Sequence, residues 1–371
     1  MAVALFGEAS RAGQDNERRA KSLRARVAMN TATLLRPSLA RLGFAGRAEL
    51  CVVESAVLRG NPLGDPSVRE LPVLLPVGHE KGALPVILVL AGFTGRGHGY
   101  FEPHPWNTSV AQSFDRAVAS GAVPPAILVM PDCFTRLGGS QYVNSTAVGR
   151  YRDHVVHEIL PLVEEHFDVR PGAFAVCGKS SGGFGALHLA MSHPGLFRAA
   201  ASISGDCDFE SSHAPQLLAA ARGLLRRKQT PAQFLAEFER TRDGSGDSHV
   251  VLDMLAMSAC YAPNAAAELG YDLPIDLFDA RLVPDVWRRW LAFDPYVACL
   301  EHVEALKQLE LLHLECGRAD EYHLQFGLRR FVRRLRELGV RHEHEEHDGG
   351  HRGIDARYAV VLAKLARLLA A

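Results

Sequence analysis

At 371 residues, with 47% hydrophobic side chains, the chain has the size for one large α/β domain with an insertion, or two modest domains. Its 41 basic and 42 acidic residues balance so closely that no general footprint for nucleic acid remains, and no stretch approaches a membrane span. Seven scattered cysteines without a CxxC pair read as buried, reduced thiols in a cytoplasmic protein. The opening Met1-Ala2-Val3-Ala4-Leu5-Phe6 is too short for a signal-peptide core and lacks a basic leader.

Residues 1–45 read as an N-terminal helical extension, patterned loosely from Glu17 to Leu42 with Pro37 breaking it. Its basic cluster (Arg18, Arg19, Lys21, Arg24, Arg26) could meet a membrane surface or an acidic partner; a solvated helix face is the plainer expectation. Two strand-like runs follow, Leu50 to Val53 and Leu71 to Leu75, separated by a Gly/Pro/Asp-rich turn. They predict an antiparallel pair at a sheet edge, where Pro72 is tolerable.

Continuous apolar runs come next: Pro85 to Leu90, Ala126 to Met130, Phe174 to Cys177 and Ala199 to Ile203. Spaced by helical segments such as Asp153 to Phe167, they predict a parallel sheet buried on both faces. After Asp206 the pattern breaks. Residues 207–295 hold charged helical segments and no strand of core quality, and read as a mainly helical cap over the mouth of the sheet. The sheet resumes at Leu311 to Cys316, with a helix from Leu324 to Leu338, a strand near Arg341 to His347 and a last helix from Ala359 to Leu369. The core is therefore expected over 46–206 and 296–371.

The chemistry concentrates where the Phe174–Cys177 strand meets the helix starting near Ala186. Gly178-Lys179-Ser180-Ser181-Gly182 fits G-x-S-x-G between a strand and a helix, which marks Ser180 as nucleophile on a tight turn. The same letters mimic the end of a phosphate-binding loop, but that motif needs glycine at 173, where Ala173 stands, and its loop residues here are strand-like. With Ser180 as nucleophile, an acid and a histidine should follow in that order at strand ends. Asp320, after the Leu311–Cys316 strand, is the chosen acid, although it could instead cap a helix with Glu321 as the acid. His351, in Asp348-Gly349-Gly350-His351, is the chosen base, its glycines letting the loop fold back toward Ser180.

The oxyanion donors are expected at Ser181 N–H and at Phe93 N–H, in the loop Ala91 to Gly97 where Gly92 lets the backbone approach a substrate oxygen; a plain Gly-rich turn is the alternative. Tyr142 and Asn144 could line the pocket or sit in a solvated loop. Lys179 could bind an acidic substrate group or pair with a carboxylate such as Glu315. His342, His344 and His347 raise the thought of a metal, but an exposed His/Glu-rich strand is the expectation, with no metal and no cofactor.

Gly178 through Leu187, His193-Pro194 with the strand reaching Ser204-Gly205, Gly317 to Asp320 and Asp348 to His351 together resemble the esterase D-type family of α/β-hydrolases. That family includes S-formylglutathione hydrolases, feruloyl and enterochelin esterases and mycolyltransferases. The resemblance spans about 47–206 and 296–371, and implies an α/β-hydrolase fold with a Ser-Asp-His triad at Ser180, Asp320 and His351. Many members carry Met where Ser181 stands, and the 207–295 insertion has no counterpart in the resemblance. The expected activity is hydrolysis of a small-molecule carboxylic or thio-ester through an acyl-enzyme. Acyl transfer by the same residues, or a non-catalytic binding module, are the alternatives. Oligomeric state, a homo-oligomer included, is left open.

Overall fold

The computed structural model describes residues 43–102 and 108–371. The helix expected between Glu17 and Leu42 lies outside the described residues. Eight strands form the main sheet: β1 (Arg47–Glu54), β2 (Val68–Leu75), β3 (Leu84–Leu90), β4 (Ile127–Val129), β5 (Val169–Lys179), β6 (Ala199–Ile203), β7 (Leu311–Gly317) and β8 (Glu343–His347). Their spatial order is β1-β2-β4-β3-β5-β6-β7-β8. β1 and β2 pair antiparallel at one edge, β2 joins β4 antiparallel, and every pairing from β4 to β8 is parallel. The expected edge pair and buried parallel runs are therefore present. β5 extends beyond the expected Phe174–Cys177 at both ends, whereas β4 is shorter than its apolar run.

Side-chain alternation divides the core into two layers. Val86, Leu88, Phe174 and Val176 face one layer, while Ile87, Val89, Ala175 and Cys177 face the other. The second layer is closed by α1 (Val110–Ala119), through Phe114 and Val118, and by the last helix of the chain, through Val361, Leu362 and Leu365. Because both faces are covered, the parallel strands read as unbroken apolar runs. All seven cysteines are buried.

The stretch read as one helix over Asp153 to Phe167 is not uniform. It opens with a short helical turn, widens into a π-helix over His154–Ile159 and ends as α2 (Leu160–His166). Pro161 supplies no N–H to the preceding turn and its ring crowds that turn, which the wider winding accommodates.

After β5 come α3 (Ser181–Ser192) and, beyond β6, the 207–295 segment. It carries α4 (Phe209–Arg227), α5 (Pro231–Thr241), α6 (Asp247–Tyr261) and α7 (Pro284–Leu291). Two isolated bridges, Pro263–Tyr271 and Ile275–Leu282, are its only β pairings among the described residues. Phe209 and Tyr261 of this segment pack against each other and onto Phe184 of α3, with Trp290 against Tyr261, so its core is continuous with the sheet-face layer. The chain then returns to β7, α8 (Leu324–Glu337), β8 and α9 (Ala356–Ala370).

On the α9 side of β7 the fully buried Glu315 accepts two hydrogen bonds from Arg357, at 2.8 and 2.6 Å, and contacts the His313 ring at 2.9 Å. Lys364 and Arg357 also hold Glu345. His313, Glu315 and Glu345 lie close enough to suggest a metal set, but these two cations already supply the positive charge. Burial would raise the Glu315 pKa; the bonds from Arg357 and His313 outweigh it and hold the group at about 2, against 4.5 ordinarily. The stabilisation from this carboxylate is thus full above pH 4.5 and is lost as pH falls toward about 2. Arg357→Ala should cost about 3 kcal/mol in urea unfolding at pH 7, because it leaves a buried carboxylate short of its main partner. An unchanged midpoint would show that the pair contributes nothing.

Candidate active site

β5 ends at Lys179 and α3 begins at Ser181, so Ser180 alone makes the turn, with φ 57° and ψ −126°. A non-glycine residue there carries strain of order ~1–3 kcal/mol. Two backbone bonds hold it: Ser180 N–H donates to the Ile203 carbonyl at 3.0 Å, and its own carbonyl accepts from Phe184 N–H at 2.9 Å. The turn closes only because its flanks lack side chains. A Cβ on Gly182 would stand 2.1 Å from the Leu90 oxygen, and one on Gly178 would stand 2.4 Å from the Gly182 carbonyl carbon.

His351 reaches this serine. Its Nε2 lies 3.1 Å from Ser180 Oγ, and its Nδ1 lies 2.9 Å from Asp320 Oδ2. Asp320 is 2% exposed. Burial alone would raise its pKa, but the hydrogen bond and charge of His351, with Tyr322 N–H, hold it below the ordinary carboxylate value. An ionised Asp320 accepts only, so Nδ1 carries the proton, and a neutral His351 presents Nε2 as acceptor to the Ser180 hydroxyl. The arrangement can withdraw the hydroxyl proton as Oγ attacks an electrophile.

The loops bearing Asp320 and His351 are laced together. Arg318 N–H donates to the His347 carbonyl at 2.8 Å, and Ala319 N–H to the Gly349 carbonyl at 3.1 Å. Glu321 is not the group facing the ring nitrogen. Its carboxylate instead accepts from His351 N–H at 2.6 Å, fixing the backbone of the histidine. Tyr322 packs edge-on against the imidazole, with centroids 4.8 Å apart.

The other expected site residues separate into two groups. Gly92, Phe93, Lys179 and Ser181 line the cavity above Ser180. Neither Phe93 N–H nor Ser181 N–H has an acceptor among the described residues, which leaves both free for a ligand oxygen. Tyr142 and Asn144 do not line that cavity, contrary to expectation. The Tyr142 hydroxyl donates to the Ala91 carbonyl at 2.7 Å, bracing the Gly92–Phe93 loop from behind. The Asn144 amide donates to Asp153 at 2.7 Å and is used up there. The pairing of Lys179 with Glu315 is also excluded: the residues sit on strands separated by β6, and Glu315 is taken by Arg357. The Lys179 side chain has no ion-pair or hydrogen-bond partner among the described residues.

The cavity measures about 1350 Å³. Much of its wall was not anticipated, and includes Asp206 after β6, Ser212, His213 and Gln216 on α4, and His249 and Asp253 on α6. No local motif marks these residues; for those on α4 and α6 the only signal was membership of a segment expected to cover the sheet mouth, and Asp206 stands just before it.

Sheet order, flanking helices and a serine at the β5–α3 turn define the α/β-hydrolase fold. The pattern of the family described as "Putative esterase" matches residues 67–355, and the chain belongs to that family. S-formylglutathione hydrolase of Mus musculus is 25% identical over 144 residues, 37% of this chain and 51% of that protein. The alignment thus spans about half the length of the curated relative. An S-formylglutathione hydrolase from Agrobacterium tumefaciens superposes with a TM-score of 0.57 at 17% identity, covering 90% of this chain and 98% of that one. A ferulic acid esterase gives 0.54 at 18% identity, covering 88% and 98%. At these identities the likeness concerns the fold.

The glycine contacts generate a test. Gly182→Ala should lower stability by about 2 kcal/mol or more, because the Leu90 strand end cannot yield 1 Å without breaking the sheet. Chemical denaturation followed by circular dichroism reads it; wild-type stability would show that the turn has slack.

Proposed function

We propose that this protein hydrolyses carboxylic or thio-esters, with Ser180 as nucleophile, His351 as general base and then acid, and Asp320 orienting His351. The observation that carries the reading is the unbroken relay of 3.1 Å from Ser180 to His351 and 2.9 Å from His351 to Asp320. Ser180 Oγ attacks the ester carbonyl as its proton passes to Nε2, and the developing oxyanion accepts from Phe93 and Ser181 N–H. His351 then returns the proton to the departing alcohol or thiol. Water, deprotonated by the same nitrogen, releases the acid from the acyl-enzyme. Family membership supports the reaction class.

Ser180→Ala should fold normally, lose fluorophosphonate labelling and reduce p-nitrophenyl ester turnover by about 10⁴-fold or more. Asp320→Asn should reduce kcat by about 10⁴-fold with KM little changed, since the neutral amide favours the wrong tautomer of His351. Turnover persisting in purified Ser180→Ala would sink the assignment.

A further inference from the structure

Four buried or half-buried carboxylates elsewhere in the molecule meet cations: Glu315 meets Arg357, Asp208 meets Arg330, Asp153 meets Arg150 and Asp272 meets Arg289. Two carboxylates of the cavity wall meet no Lys or Arg among the described residues. Asp253 of α6 lines the cavity without a hydrogen-bond or ion-pair partner among the described residues. Asp206 has only the His213 ring, with Nε2 3.9 Å from its Oδ1. His213 is 6% exposed, and its Nε2 is buried with no hydrogen bond, although the residue lines the same cavity. Burial first, and the Asp206 carboxylate second, push Asp253 up to about 7. Burial holds His213 below the ordinary imidazole value despite Asp206, so its ring is neutral near pH 7 and brings no charge to the pair. Lys179 lines the cavity too, but forms no ion pair with either carboxylate.

We propose that Asp206, Asp253 and His213 form a subsite for an ammonium group, so that the substrate class is an ester bearing a primary amine. The proposal rests on the ester-hydrolase reading for the reaction, but not for the binding. An ammonium brings three N–H donors and the positive charge that both carboxylates lack. A neutral polyol would satisfy hydrogen bonds and leave the repulsion between Asp206 and Asp253 in place. A compact divalent-metal site is a poorer match. Among the described residues, the His/Cys/Asp/Glu set whose ligand atoms gather within 4.8 Å is His313, Glu315 and Glu345, at the α9 side of the sheet.

Binding is tested apart from turnover. Ser180→Ala is titrated calorimetrically with hexylammonium chloride and with 1-hexanol. The ammonium should bind about tenfold tighter or better, and adding Asp253→Asn or Asp206→Asn should bring the two ligands to near parity. Equal binding in the parent, a preference for hexanol, or a preference surviving both substitutions overturns the subsite. In the active protein, p-nitrophenyl 6-aminohexanoate is compared with the isosteric heptanoate. The kcat/KM ratio should favour the amine by about tenfold and fall toward one in Asp253→Asn. A ratio near one in the wild type overturns the subsite while ester hydrolysis stands. If neither ester turns over and Ser180 resists fluorophosphonate, the esterase reading fails, and the calorimetry alone decides the subsite.

Discussion

The backbone approach on which the site depends lies between the end of β3 and the start of α3. Gly178 and Gly182 let the chain pass within van der Waals range of the Leu90 carbonyl, and Ser180 is held at positive φ between them. That one packing constraint lifts the Ser180 side chain off the sheet edge and starts α3 directly behind it. It also sets β3 beside β5, which brings the Gly92–Phe93 loop over the serine. Tyr142 completes the brace from the opposite side by holding the Ala91 carbonyl.

Asp320 and His351 depend on a second approach, at the ends of β7 and β8. A Cβ on Gly317 would fall 2.2 Å from the Gly349 oxygen, so the two loops cross as bare backbone. Their mutual hydrogen bonds, with Glu321 holding His351 N–H, limit how far the imidazole can swing. A histidine so fixed keeps its reach to Ser180 without losing Asp320, which is the preorganisation that acyl chemistry requires. The edge strand β8 carries Glu and His rather than apolar residues, which suits a strand with one free edge.

The wall opposite the serine is of another kind. It comes from α4 and α6, whose apolar faces join the sheet-face core through Phe209 and Tyr261 while polar residues face the cavity. The 207–295 segment thus contributes to stability and to the chemical character of the cavity with the same helices.

Much of this was present in the sequence because local physics dictated it. Strands buried on both faces must be apolar throughout, so β3, β5 and β6 stood out as runs; their ends did not, since hydrogen-bond registry with neighbours decides where pairing stops. A glycine-flanked serine between strand and helix announced the turn, and the order Ser180, Asp320, His351 followed from the strand ends. The widened winding at His154–Ile159 left no periodic trace. Other features needed the third dimension. Lys179 could have bound a substrate group or paired with Glu315, and only the fold shows Glu315 taken by Arg357 from the last helix, with β6 between the two strands. Tyr142 and Asn144 looked like lining residues until their polar atoms were found already occupied. Asp206, His213 and Asp253 converge on one cavity from three elements, and no spacing along the chain records such a meeting. Composition, periodicity and local motif act between neighbours in sequence, and so they determined the strands and the glycine-flanked turn that carries Ser180. Which distant side chains face each other depends on sheet order and helix packing, and only the tertiary structure decided it.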